Sequence, residues 1–179
     1  PLSIMRRKNM DIKQLYNPVW KRSDNLRDPS VFKGSDGYHL FYSRYSNNDW
    51  TKPENWFCCA CFHEGFYTFW DDRDISAKGF ASPGDVIRWS DKYILPYQSY
   101  PDVPTMLCYS ISDNLINWSE PVYFLEEAMD LPWNQAKRVI DPTFVADGER
   151  LHCFFVGTDR LHYKSPTIWW VMRTQKIRR

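Results

Sequence analysis

The sequence predicts an all-β protein, a β-propeller of four-stranded antiparallel blades, with room for about three blades in 179 residues. Three observations lead there. A proline-centred phrase recurs as Leu26-Arg27-Asp28-Pro29-Ser30-Val31-Phe32, Ala81-Ser82-Pro83-Gly84-Asp85-Val86-Ile87 and Ile140-Asp141-Pro142-Thr143-Phe144-Val145. Each copy is followed by a polar turn and a strand-like run. No long stretch carries helical periodicity. A unit of this size that repeats in short strands builds blades, solenoid turns or an array.

The elements follow in chain order. Residues 1–24 form a lead-in segment with room for a ring-closing strand. Blade 1 is expected over residues 25–76. Its opening phrase turns at Ser35-Asp36-Gly37 into Tyr38-His39-Leu40-Phe41-Tyr42; residues 55–61 supply a third strand and residues 66–70 an outer one. Blade 2, residues 77–134, turns at Ser90-Asp91, continues through Lys92-Tyr93-Ile94-Leu95, and has a third strand at 104–111. Residues 112–121 then lead into an outer strand closed by Trp118. Blade 3, residues 135–179, repeats the scheme through Ala146-Asp147-Gly148, Leu151-His152-Cys153-Phe154-Phe155 and residues 166–172. The chain stops where that blade's outer strand would start. It is therefore expected to be the leading portion of a longer propeller, with open blade faces that invite self-association.

Composition narrows the partners. A net charge of +1 gives no field that argues for nucleic acid or a membrane surface. Aromatic residues reach 17%, which suits packing between sheets and also supplies flat faces for sugar rings. The basic run after Asp159 is that of a solvated chain end. The five cysteines include a C-x-x-C spacing at Cys58 and Cys61, but no second pair completes a metal site. On a strand those two positions face opposite ways. They read as buried thiols, which leans toward a reducing, cytoplasmic setting. No secretory signal or long apolar span is evident, and localisation stays open. His39, His63, His152 and His162 have no ligand spacing, so none is assigned to a metal.

The repeat also places chemistry. The first strand of a propeller blade lines the central channel, and Asp28 and Asp141 occupy equivalent points in the first and third copies. Ser82 takes the matching place in the second. Two carboxylates on separate blades then converge on one funnel, flanked by Arg27 and Arg138. Paired carboxylates suit glycoside hydrolysis, one activating water and another protonating the leaving oxygen. An Asp before Pro also caps turns, but the same residue at the same point of two repeats favours a site. Asp36, Asp91, Asp113 and Asp147 fall in turn phrases and are read as turn residues.

These phrases resemble those of glycoside hydrolase family 43 and its invertase-like relatives. Arg27-Asp28-Pro29-Ser30-Val31-Phe32 with Asp36-Gly37-Tyr38-His39-Leu40-Phe41-Tyr42-Ser43 is similar to the family's first blade, and residues 140–148 to its third. Residues 80–87 resemble the second-blade phrase, departing from it at Ser82 and Gly84. Ser112-Asp113-Asn114-Leu115 through Trp118 resembles a turn common in these blades. The resemblance implies a five-bladed propeller that cleaves arabinofuranoside- or xyloside-type linkages of plant-type oligosaccharides and polysaccharides. It implies Asp28 as general base, Asp141 as the residue that orients the sugar and tunes the acid, and Ser82 as a neighbour of the sugar pocket; Arg27 and Arg138, which flank the acids in the sequence, are read with Ser82 as substrate contacts. It requires no cofactor, though some relatives hold calcium near the axis. The family's general acid is a fourth-blade glutamate with no counterpart in these 179 residues. Two other readings stay open: a non-catalytic carbohydrate-binding propeller, and a propeller phosphorylase in which phosphate replaces water.

Overall fold

The computed structural model describes residues 23–63, 70–147, 150–158 and 168–175. Within them the protein is all-β, built from three antiparallel sheets arranged as propeller blades. Blade 1 runs β1 (Asn25–Lys33), β2 (Tyr38–Tyr45), β3 (Trp56–His63) and β4 (Trp70–Asp74), in that spatial order. Blade 2 holds β5 (Phe80–Ala81), β6 (Ile87–Trp89), β7 (Lys92–Ser99), β8 (Leu107–Ser112) and β9 (Val122–Tyr123). Blade 3 holds β10 (Val139–Asp147), β11 (Arg150–Thr158) and β12 (Ile168–Gln175).

The innermost strands share one irregularity. In β1 the pairing skips from Arg27↔Ser43 to Ser30↔Phe41, and in β10 from Ile140↔Val156 to Thr143↔Phe154. Two residues thus oppose one, a β-bulge. The bulged pair is Asp28-Pro29 in one blade and Asp141-Pro142 in the other. Proline explains the location, because it has no N–H to give to a ladder. In blade 2 the same position opens into a loop. Residues 82–86 separate β5 from β6, and both short strands pair with β7.

Two outer strands differ from the sequence expectation. In blade 1 the outer strand is Trp70–Asp74 rather than 66–70, and residues 66–69 lie outside the described residues. In blade 2, Trp118 closes no strand. The Asn114 side chain accepts the amides of Ile116 and Asn117 at 3.0 and 2.9 Å, forming a side-chain-closed turn. The buried Leu115 then plugs the interior, and the outer strand shrinks to Val122–Tyr123. The lead-in segment up to residue 22 lies outside the described residues.

The core forms between blades. Phe41, Cys58, Phe80, Leu95 and Tyr97 fill the space between blades 1 and 2, with the Trp118 ring edge-on to Phe41 at 5.5 Å. Ile94, Leu107, Phe124, Phe144 and Phe155 fill the space between blades 2 and 3. Adjacent β7 residues Ile94 and Leu95 serve opposite interfaces, as strand alternation requires. Blade 2 is therefore covered on both faces. On the far faces of blades 1 and 3, Val31 and Val145 stay 58% and 50% exposed, whereas elsewhere on that face of blade 1 Tyr42 and Cys59 are buried, with Leu26, Leu40 and Phe57 packed against them. Cys58, Cys59, Cys108 and Cys153 are buried free thiols. Burial pushes the Cys153 thiol up to about 12. Cys61 falls where side chains are not described.

Candidate active site

The three repeat-equivalent residues share a backbone state. Asp28, Ser82 and Asp141 have φ of 55°, 53° and 54°. This left-handed conformation costs a non-glycine residue roughly 1–2 kcal/mol, and such strain tends to cluster at functional sites. It bends each innermost strand where it reaches the axis. The result is one cavity of about 120 Å³, lined by Arg27, Asp28, Trp56, Ala81, Ser82, Gln98, Tyr100, Arg138, Ile140 and Asp141. All five residues singled out in the sequence reach it.

A repeated capping device holds the bulges. The Ser43 hydroxyl, on β2, accepts the Ser82 N–H at 2.7 Å. The Gln98 side-chain oxygen, on β7, accepts the Asp141 N–H at 2.8 Å. In both cases the second strand of one blade satisfies the strained amide of the next. Ser43 and Gln98 are fully buried, so each bond also ties neighbouring blades at the rim of the site. The Ser43 hydroxyl in turn donates to Asp28 Oδ2 at 2.8 Å.

The two carboxylates communicate through a serine. The Ser82 hydroxyl lies 3.3 Å from Asp28 Oδ2 and also supports the Asp141 carboxylate. A hydroxyl has one hydrogen and cannot donate to both at once. Asp141 is exposed to the cavity, yet the protein around it limits its hydration, and this raises its pKa. Hydrogen bonding from Ser82 opposes the shift, the Asp28 charge adds to it, and Arg138 and Gln98 oppose it.

The aromatic wall is made by Trp56 and Tyr100. Trp56 is 1% exposed, stands edge-on to Tyr100 at 4.7 Å and tilts over Tyr45 at 4.8 Å. Its indole N–H donates to the Trp50 carbonyl at 2.8 Å. Sequence reasoning missed Ser43, Gln98, Trp56 and Tyr100. A signal existed for two of them, since Ser43 follows Tyr42 and Gln98 follows Tyr97 at matching points of the repeat.

Calcium takes about six to eight oxygen ligands. Among the described residues no group of three or more His, Cys, Asp or Glu is placed to hold a metal. The two cavity carboxylates also stand beside two guanidiniums, so the donor set does not fit calcium and no step below runs through it.

By sequence, no family model and no curated protein matches the chain. Solved structures do match. A family 117 glycoside hydrolase from the marine bacterium Zobellia galactanivorans aligns with a TM-score of 0.65 at 14% identity, over 86% of this chain and 53% of that one. An α-L-arabinofuranosidase from Podospora anserina, solved with cellotriose, aligns at 0.58 and 14% identity, over 84% and 46%. A thermostable family 43 glycoside hydrolase aligns at 0.55 and 15% identity, over 79% and 44%. The chain spans about half the length of these structures. At such identities the likeness is one of architecture alone, and that architecture is the β-propeller.

Proposed function

We propose that this chain carries the sugar-binding half of a glycoside hydrolase site for arabinofuranoside- or xyloside-type linkages of plant-type glycans. The observation that supports it is the convergence of Asp28 and Asp141 from two blades on one cavity, bridged by Ser82 and walled by Trp56 and Tyr100. Asp28 acts as general base. Its Oδ2 is fixed by Ser43, and among the described residues its other oxygen has no hydrogen-bond partner, which leaves it to take a proton from water attacking the anomeric carbon. Water delivers its hydroxyl to that carbon, the glycosidic C–O bond breaks, and the departing oxygen takes a proton from an acid. Asp141 orients the glycosyl unit and, by sharing the Ser82 hydroxyl, sets the proton inventory of the site. Among the described residues no glutamate lines the cavity. In this reading the acid is a glutamate outside these 179 residues.

That same lining favours one second reading, a non-catalytic carbohydrate-binding propeller with the pocket but not the acid. Hydrolysis of aryl arabinofuranosides and xylosides by the intact protein separates the two. Asp28→Asn is expected to lower kcat by about 100-fold or more, and Asp141→Asn to lower kcat/KM. Full rates in both variants would reject the site assignment. Glycan binding with no turnover would favour the second reading.

A further inference from the structure

Two guanidiniums share the cavity with the two carboxylates. Among the described residues neither the Arg27 nor the Arg138 side chain makes a hydrogen bond or ion pair, and Arg138 acts on Asp141 only through space. Several other cations among the described residues are engaged. Arg44 pairs with Asp24 and Asp74, Lys92 with Asp113 and Lys137 with Asp130, while Arg88 lies over the Tyr93 ring.

The backbones that carry the cavity arginines are anchored. Arg27 sits in the β1 ladder opposite Ser43. The Arg138 N–H donates at 3.1 Å to the side chain of buried Asn134. The two arginines therefore come from blades 1 and 3 and flank the acid pair from fixed points. A guanidinium fork matches an oxyanion far better than a neutral hydroxyl, because it gives two parallel charge-assisted bonds.

We propose that the saccharide bound here carries an oxyanion, a uronate carboxylate or a sulfate ester, held between Arg27 and Arg138 beside Asp28 and Asp141. This rests on the carbohydrate reading above and adds to it an anion, borne as a sulfate ester on the bound glycosyl unit or as the carboxylate of a uronate beside it in the glycan. The charge balance agrees with it. With both carboxylates ionised the four lining charges cancel, so an incoming oxyanion meets no net negative charge there.

The test is a panel of neutral, uronate-bearing and sulfated oligosaccharides, followed by calorimetry on matched pairs and on inorganic phosphate. The anionic member of a pair is expected to bind about tenfold tighter or more than its neutral counterpart. That advantage should shrink as salt rises and disappear in the Arg27→Gln, Arg138→Gln double variant. Arg27→Lys with Arg138→Lys should keep part of it, and circular dichroism checks that each variant is folded. Which anionic arm binds identifies the substituent. Neutral glycans that bind as well as anionic ones overturn the proposal and leave the carbohydrate reading standing. Binding of inorganic phosphate with no preference among glycans also overturns it. No glycan bound in any arm removes both.

Discussion

At the residue scale the site is a balance between strain and support. Asp28, Ser82 and Asp141 take a left-handed backbone that their side chains disfavour. The return is three polar groups at the axis within one hydrogen-bonded cluster. Asp141 illustrates the cost. Its side chain is exposed, but partial desolvation by the surrounding protein raises its pKa, so the native state holds a proton more tightly than the unfolded chain does. Stability then falls as pH rises from the ordinary carboxylate range through the folded pKa. The penalty is absent below that range and complete above the folded value. Asp141→Asn is expected to raise the midpoint of thermal unfolding at pH 7, with a gain that fades toward pH ~4. A gain independent of pH, or a loss at pH 7, would remove burial of this charge as a cost.

At the element scale, the innermost strand of each blade does two things. It pairs with its neighbour, and at the bulge it turns away to face the axis. The second strand of the preceding blade supplies the missing acceptor, Ser43 for Ser82 and Gln98 for Asp141. Blade 2 widens its bulge into residues 82–86, and Gly84 makes that loop fit. A Cβ there would lie 2.1 Å from the Pro142 carbonyl oxygen of blade 3, which is backbone and cannot swing aside. Gly84 also donates its N–H to the Pro96 carbonyl at 2.8 Å, which fixes it from the other side. Gly84→Ala is therefore expected to cost about 1–3 kcal/mol and to loosen the junction between blades 2 and 3. Urea unfolding with hydrogen exchange at β7 and β10 would read both effects, and unchanged stability would mean that the loop has slack.

At the scale of the whole molecule, the cores lie between blades rather than within them. Each blade depends on its neighbours, and Val31 of blade 1 and Val145 of blade 3 stay as exposed apolar side chains. The protein is expected to self-associate through them, and Val31→Asp with Val145→Asp should shift it toward monomer in sedimentation velocity. A wild-type protein that sediments as a clean monomer at tens of micromolar would contradict this. The blade order was legible because prolines mark the start of every unit and a proline cannot sit quietly in a ladder. The outer strands were less legible. In blade 2 a side-chain-closed turn at Asn114 displaced the strand past Trp118, a local competition that periodicity does not register.

By itself the sequence determined the repeat, the all-β class and the placement of Asp28, Ser82 and Asp141 at matching points. These are local matters, set by alternation and by the backbone limits of proline. Only the tertiary structure decided that Trp56 and Tyr100 wall the cavity, that Ser43 and Gln98 cap the strained amides, and that Ser82 bridges two acids. Those contacts join residues on different blades. The free energy that brings them together comes from burying the interblade cores, to which no single strand's sequence points.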